Sequence, residues 1–206
     1  MKLEHIKEFL LFNCCEGLQS DIIVKKLKMN NLDKIILTDL NINNISGLLG
    51  LLSSLNSIGR MKAIHLYGPE GLAQYLDLGK KYSHTNFKYI LYVHVLKSGL
   101  IIDHKKYRMY TFMEKNRFNF FMIESEQSGK FMIRQAEENY LLPSPLYSYL
   151  KKGYTFILPD GLSIEGLQFT KLNYEGYRFI FIVNKFYYKK FIRNSMQSMI
   201  LLHKTC

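Results

Sequence analysis

The pattern of apolar and polar positions alternates between two periods along the first half of the chain. Short apolar runs bounded by polar or glycine residues indicate buried strands, whereas apolar residues spaced three or four positions apart indicate helices. The pattern predicts strands at 9–13, 34–37 and 64–67 and helices at 22–29, 47–55 and 72–78. Strands that alternate with helices predict an α/β layered domain.

The second half of the chain changes to a strand-rich pattern at Lys88. Aromatic and β-branched residues dominate there, and they predict strands at 89–96, 100–102, 107–112, 118–123 and 178–183. The polar segment 125–160 contains three of the four prolines, so we expect an arm-like excursion from a single domain that spans residues 1–206. After the last strand we expect a basic, aromatic helix or loop to Cys206.

The balance of charge favours a polyanionic partner. The chain has 28 Lys and Arg residues against 17 Asp and Glu residues, which gives a formal charge of +11. Such an excess is typical of proteins that meet nucleic acid or an anionic membrane surface. The apolar run 48–55 is far shorter than the ~20 residues of a membrane-spanning helix, and no secretory signal is evident at the N-terminus. We therefore expect no membrane insertion.

Cysteine usage and overall composition bear on the compartment. Cys14 and Cys15 are adjacent, so a bridge between them would be strained, and Cys206 is the last residue, which leaves no evident disulfide framework. The abundance of Lys, Asn, Ile, Phe and Tyr, without Trp, is typical of an AT-rich coding sequence. Organellar genomes are often of this kind, and we expect a plastid location or another reducing, soluble compartment.

Three blocks of sequence, in order along the chain, match the pattern of one known family. The first is Leu-Leu-Phe-Asn-Cys-Cys-Glu-Gly-Leu-Gln at 10–19 with Ile-Ile-Leu-Thr at 35–38. The second is Ser-Gly-Leu-Leu-Gly-Leu-Leu-Ser-Ser at 46–54 with Tyr-Gly-Pro-Glu-Gly-Leu at 67–72. The third is Ser-Pro-Leu-Tyr-Ser-Tyr-Leu-Lys-Lys-Gly at 144–153 with Asp-Gly at 160–161. Together these blocks resemble ribonuclease Z, the tRNA 3′-end endonuclease of the metallo-β-lactamase superfamily.

The resemblance implies a four-layer αββα sandwich of the metallo-β-lactamase type, a site for two zinc ions and cleavage at the 3′ trailer of precursor tRNA. In such a site the metals activate a water for attack on the phosphodiester, and His and carboxylate ligands must hold them in fixed places. The resemblance also implies that the third block belongs to an arm that grips tRNA.

The metal motif of the family has been replaced in this chain. Its pattern, His-any-His-any-Asp-His directly after a strand, falls on Asp39, Asn41, Asn43 and Asn44. An amide oxygen is a neutral, weak ligand for zinc, and Asn43 cannot serve as the general base that the family's aspartate supplies. Asp39 alone could still bind a cation. We expect no zinc cofactor and no catalysis of the family type.

The other family positions are altered as well. No histidine lies within 113–115, where a further ligand is expected, and Asn184 stands at the position of the ligand aspartate. His203 lies in a Leu-His-Lys-Thr segment similar to the family's His-Glu-Ala-Thr segment, whose histidine transfers a proton. The chain starts after the first hairpin of the family and stops before its last metal-binding histidine. We expect a sandwich truncated at both ends.

Other metal-binding residue types do not restore the site. Cys14 and Cys15 have no second pair at suitable spacing, and we interpret them as packing residues. The remaining histidines fall on unrelated strands and turns, and we interpret each as a solvated or core residue. They are His65, His84, His94 and His104.

The third block supplies the candidate RNA-binding residues, which are Pro145, Tyr147, Lys151 and Lys152. Lys151 and Lys152 lie beside Tyr147, Tyr149 and Tyr154 in the sequence. Lysines neutralise phosphates and aromatic rings stack on bases, so this mixture fits tRNA or precursor tRNA as a partner. A Lys-Lys-Gly turn is equally typical of a solvated surface.

Three interpretations of function remain. The first is a catalytically silent ribonuclease Z-like protein that keeps the scaffold and part of the RNA-binding arm. By analogy with families in which one subunit's arm holds the tRNA that another subunit cuts, it would act in a homodimer or in a heterodimer with an active homologue. The second is an active nuclease with a relocated or altered metal site that uses Asp39 and carboxylates such as Asp160. The third is a decaying reading frame whose product does little.

Overall fold

The computed structural model describes residues 7–114, 117–126, 129–159, 161–171, 175–182 and 199–202. The chain divides into two compact units. Unit 1 comprises Met1–Ile102, Met109–Phe121 and Phe179–Cys206. Unit 2 comprises Asp103–Arg108 and Met122–Arg178, so the strand ends that fall in these two segments belong to it.

The first sheet of unit 1 consists of four parallel strands in sequential order. They are β1 (Phe9–Phe12), β2 (Leu32–Ile36), β3 (Ile64–Gly68) and β4 (Leu91–Val95). The connections contain α1 (Leu18–Val24), α2 (Ile42–Ile45), α3 (Leu48–Ser57) and α4 (Leu72–Ser83). Parallel strands joined through helices are the arrangement that the alternating pattern predicts.

One face of this sheet packs against the helices. Side chains alternate across a strand, and residues opposite one another on neighbouring strands share a face. Leu11, Ile35 and Leu66 are opposite one another on β1, β2 and β3, so they point to the same face. They form one buried cluster with helix residues such as Leu51 and Leu72. Both faces of a parallel sheet are normally covered, which explains why the strands read as nearly continuous apolar runs.

The second sheet has five strands in the order β11-β10-β7-β6-β5. They are β5 (Gly99–His104), β6 (Tyr107–Glu114), β7 (Arg117–Glu124), β10 (Arg178–Ile182) and β11 (Met199–Leu202). Phe12 of the first sheet stacks on Phe181 of the second at 4.5 Å and meets Phe120 edge-on at 5.5 Å between ring centroids. The described part of unit 1 therefore contains three successive layers, α, β and β.

Unit 2 has its own small core. Between β7 and β10 the chain forms α5 (Ile133–Glu138), α6 (Leu146–Leu150) and an antiparallel pair, β8 (Thr155–Ile157) and β9 (Ser163–Glu165). Ala136, Leu150, Ile164 and Phe169 are buried together, with Tyr147 packed against them. Within the described ranges of the whole chain, no helix has the length and apolarity needed to cross a membrane.

Three predicted elements differ from the observed ones. The helix predicted at 22–29 lies at Leu18–Val24, because Gly17 starts it in a left-handed conformation and Lys26, at φ 52°, breaks it. The segment between the predicted strand 34–37 and the predicted helix 47–55, where no element was expected, contains the single helical turn α2, which Asn41 caps. The tail predicted as a helix or loop contains β11, whose apolar sequence pairs parallel with β10.

Gly47, at the start of α3, provides a test of the fold because it touches the backbone of the loop after β1. A Cβ atom at Gly47 would lie 2.2 Å from the Cys15 carbonyl oxygen, whereas one at Gly50 would first meet the flexible end of Gln19 at 3.3 Å. We expect Gly47→Ala to lower the free energy of unfolding by about 2 kcal/mol. The control Gly50→Ala should raise it by about 0.5 kcal/mol, since alanine favours the helix. Urea denaturation of both variants measures the difference, and equal midpoints would contradict the packing.

Candidate functional site

The candidate site begins where β1 and β2 end. Asn13, at φ 55°, donates its backbone N–H to the Ile36 carbonyl at 2.8 Å. Its side-chain oxygen accepts from the backbone N–H of Thr38 at 2.9 Å and from the Thr38 hydroxyl at 3.1 Å. Both residues are fully buried. These contacts join the carboxyl ends of two neighbouring strands and fix the point at which the following loop leaves the sheet.

Asp39 is the centre of the loop that follows. One oxygen of its carboxylate, Oδ1, accepts from the Asn44 side-chain amide at 2.6 Å and from the backbone N–H of Asn41 at 3.0 Å. Asn41 in turn accepts the backbone N–H of Asn43 at 3.2 Å and so caps α2. The loop is therefore closed by hydrogen bonds among its own residues.

The orientation of Asn44 is fixed by its neighbours. Its backbone carbonyl accepts the N–H of Cys14 at 2.7 Å, and its Nδ2 lies 2.6 Å from the Asp39 carboxylate. A carboxylate accepts only, so the nitrogen end of the amide must face Asp39. Asn44 is buried, and its Oδ1 has no hydrogen-bond partner among the described residues.

A cavity of about 490 Å³ lies beside Asp39 at the carboxyl ends of the first sheet's strands. This edge of a parallel sheet is where α/β proteins place their ligands. The cavity carries two carboxylates and one ammonium group on otherwise largely apolar walls. Its lining residues are Asp39, Leu40, Pro69, Glu70, Val95, Leu96, Lys97, Met113 and Phe118.

The candidate RNA-binding residues lie on and around α6 in unit 2. Pro145 precedes the helix, and Lys151 and Lys152 follow it as exposed residues. Tyr147 is half-buried, donates its hydroxyl to the Leu141 carbonyl at 2.5 Å and packs on Phe131 with ring centroids 4.8 Å apart. Its contacts within unit 2 are those of a structural residue.

Two other tyrosines of this region present their rings to solvent. Tyr149 is 49% exposed and Tyr154 is 57% exposed. Their ring centroids are 6.1 Å apart, and the Lys152 ammonium lies 5.7 Å from the Tyr149 centroid. We call Tyr149, Lys152 and Tyr154 the aromatic platform. The block that pointed to Tyr147 also contains Tyr149, but sequence alone did not distinguish the packed ring from the exposed one.

Comparison with curated proteins decides the family. Over 207 residues the chain is 30% identical to the ribonuclease Z of Nostoc sp. strain PCC 7120, a match that covers 99% of this chain and 64% of that protein. Over 180 residues it is 32% identical to the uncharacterized protein ycf56 of Pyropia yezoensis, covering 86% of this chain and 68% of that protein. The chain is a homologue of ribonuclease Z over almost its whole length. It spans about two thirds of the length of these relatives.

A solved structure supports the same relationship. The crystal structure of the short form of human tRNase Z matches with a TM-score of 0.52 and 25% identity, covering 60% of this chain and 56% of that chain. No protein-family model matches the chain. The resemblance to ribonuclease Z and the metallo-β-lactamase-type α/β fold expected from the sequence are both confirmed.

The described residues do not fit the dinuclear zinc centre that a ribonuclease Z implies. The Asn44 amide directs N–H groups, which cannot coordinate a cation, at the Asp39 carboxylate. Asn41 and Asn43 are exposed amides, and Met113 lines the cavity where a further ligand was expected. No group of three or more His, Cys, Asp or Glu side chains suited to a metal occurs within the described ranges. Lys115, Asp160, Asn184 and His203 lie outside them.

Two of the histidines interpreted as unrelated are in contact. Neighbouring strands β3 and β4 bring His65 Nδ1 to within 3.0 Å of His94 Nε2. The two rings stack on each other, on Tyr92 and on Tyr67. Burial, and then the nearby charge of Lys34, lowers the pKa of His65. The pair forms part of an aromatic ladder across the sheet and offers only two imidazoles, whereas a structural zinc site needs four ligands.

Glu70 and Lys97 were not recognised from the sequence as site residues. Each lies two residues beyond the carboxyl end of a parallel strand, Glu70 after β3 and Lys97 after β4. Polar residues in that position commonly face the ligand-binding edge of such a sheet. That rule, applied to each strand in turn, would have found both.

The two adjacent cysteines provide a test of the buried base of the loop. Burial, and then the neighbouring Cys15, raises the pKa of Cys14 to about 12, whereas Cys15 is only partly buried. In a Cys206→Ser background we expect a thiol-specific reagent at mildly alkaline pH to label Cys15 quickly and Cys14 only on unfolding. Further substitution of Cys15 by Ser should abolish fast labelling, and further substitution of Cys14 by Ser should not change it. Fast labelling of Cys14 would contradict the closed loop.

Proposed function

We propose that this chain is a catalytically silent member of the ribonuclease Z family that binds tRNA or precursor tRNA without cutting it. The observation that carries the proposal is the contact between Asn44 and Asp39, 2.6 Å long. The Asn44 amide stands within the motif whose residues must hold the metals in an active member. Around it, the described residues form a parallel sheet with a buried core against its helices.

The chemistry of cleavage supports a silent site. A dinuclear site activates a water and stabilises the charge that develops on the phosphate, and both tasks need cations held by anionic or imidazole ligands. The motif positions offer one carboxylate, Asp39, whose Oδ1 already accepts two hydrogen bonds. A neutral amide at position 43 cannot accept a proton at physiological pH, so it supplies no general base.

The surface of unit 2 supports RNA binding. The aromatic platform combines exposed rings with an ammonium group, and Lys151 adds a second positive charge beside it. Such surfaces bind nucleic acid by stacking on bases and by neutralising phosphates. The formal charge of +11 for the whole chain favours the same partner. We propose that the segment 125–160 acts as the arm, with Pro145, Tyr147 and Leu150 shaping it and Lys151 and Lys152 contacting RNA.

We further propose where and with what the protein works. A silent member would present RNA to an active ribonuclease Z. It would do so either as one half of a heterodimer with the active enzyme or as a homodimer that recruits the active enzyme. A plastid location is supported by the AT-rich type of composition and by relatives from Nostoc and Pyropia yezoensis. Finding the coding sequence in nuclear DNA without a transit peptide would contradict the location, and a protein that stays monomeric alone and with an active homologue would contradict the assembly.

The absence of family-type catalysis is tested by metal content and cleavage together. We expect the purified protein to hold far less than one zinc per chain and to leave precursor tRNA uncut, because the motif positions lack the ligands. Elemental analysis by mass spectrometry and gel analysis of labelled precursor tRNA measure both. An active ribonuclease Z prepared in the same way serves as the positive control. Stoichiometric metal with turnover would establish the alternative, an enzyme with an altered metal site.

RNA binding is tested with variants of the platform. We expect Tyr149→Ala with Tyr154→Ala to weaken binding of fluorescent precursor tRNA about tenfold, because base stacking is lost. Lys151→Ala with Lys152→Ala should weaken binding and reduce the slope of log affinity against log salt by about 2.

The matched controls lie on unit 1. Tyr82 is 77% exposed on α4, and Lys25 and Lys28 are exposed near α1. Tyr82→Ala should leave affinity unchanged, and Lys25→Ala with Lys28→Ala should lower it less than the Lys151 and Lys152 pair does. Equal effects of the two lysine pairs would mean that binding is diffuse attraction to a basic protein, which would contradict a site on unit 2.

A further inference from the structure

We propose that the Asn44 amide takes the place of a cation at Asp39, so that the loop folds without metal and one substitution at position 44 converts it into a cation site. The inference rests on the proposal that the family's zinc centre is absent. It concerns the stability of the loop from Asp39 to Ser46 and does not depend on RNA binding.

The hydrogen bonds of Asp39 carry the first step. A carboxylate at the end of a buried strand needs donors or a cation to compensate for the water it loses. Here the Asn44 Nδ2 lies 2.6 Å from Oδ1, a length typical of a strong, charge-assisted hydrogen bond. The backbone N–H of Asn41 adds a second donor at 3.0 Å. The partial positive charges of both N–H groups converge on the oxygen to which a cation would otherwise bind.

The burial of Asn44 carries the second step. The residue is 1% exposed, and its backbone is held on both sides: its N–H donates to the Asn41 carbonyl at 2.8 Å, and its carbonyl accepts from the N–H of Cys14 at 2.7 Å. Nδ2 also lies 3.5 Å from the Thr38 hydroxyl. The Oδ1 end, however, has no partner among the described residues. The residue is therefore held by its nitrogen end, and that end faces Asp39.

The chemistry of the exchange follows from these two facts. Asn44→Asp replaces the donating –NH₂ with an oxygen at nearly the same place, so two carboxylates would face each other at hydrogen-bond distance. Like charges this close repel strongly, and the repulsion is removed by a proton or a cation between them. Two carboxylates with the Thr38 hydroxyl nearby form a set of oxygen ligands, which suits a hard cation of flexible geometry such as Ca²⁺.

The experiment compares melting temperatures in EDTA and in millimolar Ca²⁺. We expect the wild-type protein to melt at the same temperature in both. Asn44→Asp should melt about 5 °C or more below wild type in EDTA and recover most of that loss in Ca²⁺. Asn41→Asp is the matched control, since it adds the same charge to the same loop at an exposed position where Asp caps a helix as well as Asn does. It should show no response to Ca²⁺.

A second variant covers the case in which Asn44→Asp does not fold in EDTA. Asn44→Ala removes the donor without adding charge, so it should melt below wild type by a similar amount and gain nothing from Ca²⁺. The inference is overturned if Asn44→Ala melts with wild type, if Asn44→Asp loses nothing in EDTA or gains no more from Ca²⁺ than Asn41→Asp, or if EDTA destabilises the wild-type protein.

These outcomes are distinct from those of the proposed function. Stoichiometric zinc with cleavage of precursor tRNA would refute the silent site directly. A wild-type protein that neither binds zinc nor cuts RNA, together with an Asn44→Ala variant of unchanged melting temperature, would refute only the role given to Asn44.

Discussion

The polar junction between the ends of β1 and β2 is the constraint on which the candidate site depends. Asn13 and Thr38 are fully buried, and the side-chain oxygen of Asn13 accepts hydrogen bonds from the backbone N–H and the hydroxyl of Thr38. The next residue, Cys14, binds the loop on both sides, donating to Asn44 and accepting from Gly47. Because buried polar groups are costly to leave unpaired, this junction allows few alternative loop positions. Asp39 and Asn44 meet as a consequence of it.

Most of the stability of this fold comes from residues outside the candidate site. The large apolar cluster between the first sheet and its helices contains residues such as Leu48, Leu51 and Leu66, all fully buried and none of them in the site. Burial of such side chains is the main source of stability in a domain. A site held by hydrogen bonds of its own can therefore lose metal ligands one after another while the core remains unchanged. Under the proposed function, the Asn44 amide stands in the place of a metal ligand and binds the carboxylate that remains.

Sequence patterns predicted the parts of this structure that depend on local periodicity. The buried strands of the first sheet and helix α3 were found because burial on both faces, or on one helical face, leaves a clear apolar pattern. The end of α1 was misplaced because Leu27 and Met29, which pack against the core beyond the end of the helix, continue the apolar spacing. Periodicity records residue type, and it cannot show that the backbone leaves the helix at Lys26.

The features of the candidate site that could not be predicted are those created by the meeting of distant segments. His65 and His94 become neighbours only through the register of β3 and β4. Tyr147 and Tyr149 are two residues apart and of one chemical type, yet only Tyr149 keeps an exposed ring, because a hydrogen bond to Leu141 and contact with Phe131 hold Tyr147 in place. The resemblance to ribonuclease Z predicted that Asn residues stand at the ligand positions of the loop. The contact between the Asn44 amide and the Asp39 carboxylate could not be predicted, because it depends on where Cys14 holds the backbone.

Binding and cutting of RNA place very different demands on a protein, and this difference makes a silent family member physically reasonable. Cutting requires cations held at fixed distances from a scissile phosphate, so the loss of one ligand geometry removes it. Binding adds up from many weak contacts between lysines and phosphates and from sequence-tolerant stacking, and it declines gradually as contacts are lost. The residues proposed for the two tasks lie in different units: Asp39 to Asn44 belong to unit 1, and Tyr149, Lys152 and Tyr154 belong to unit 2. An excess of 11 positive charges favours binding of a polyanion by long-range attraction, and this attraction does not depend on whether the loop from Asp39 to Asn44 holds a metal.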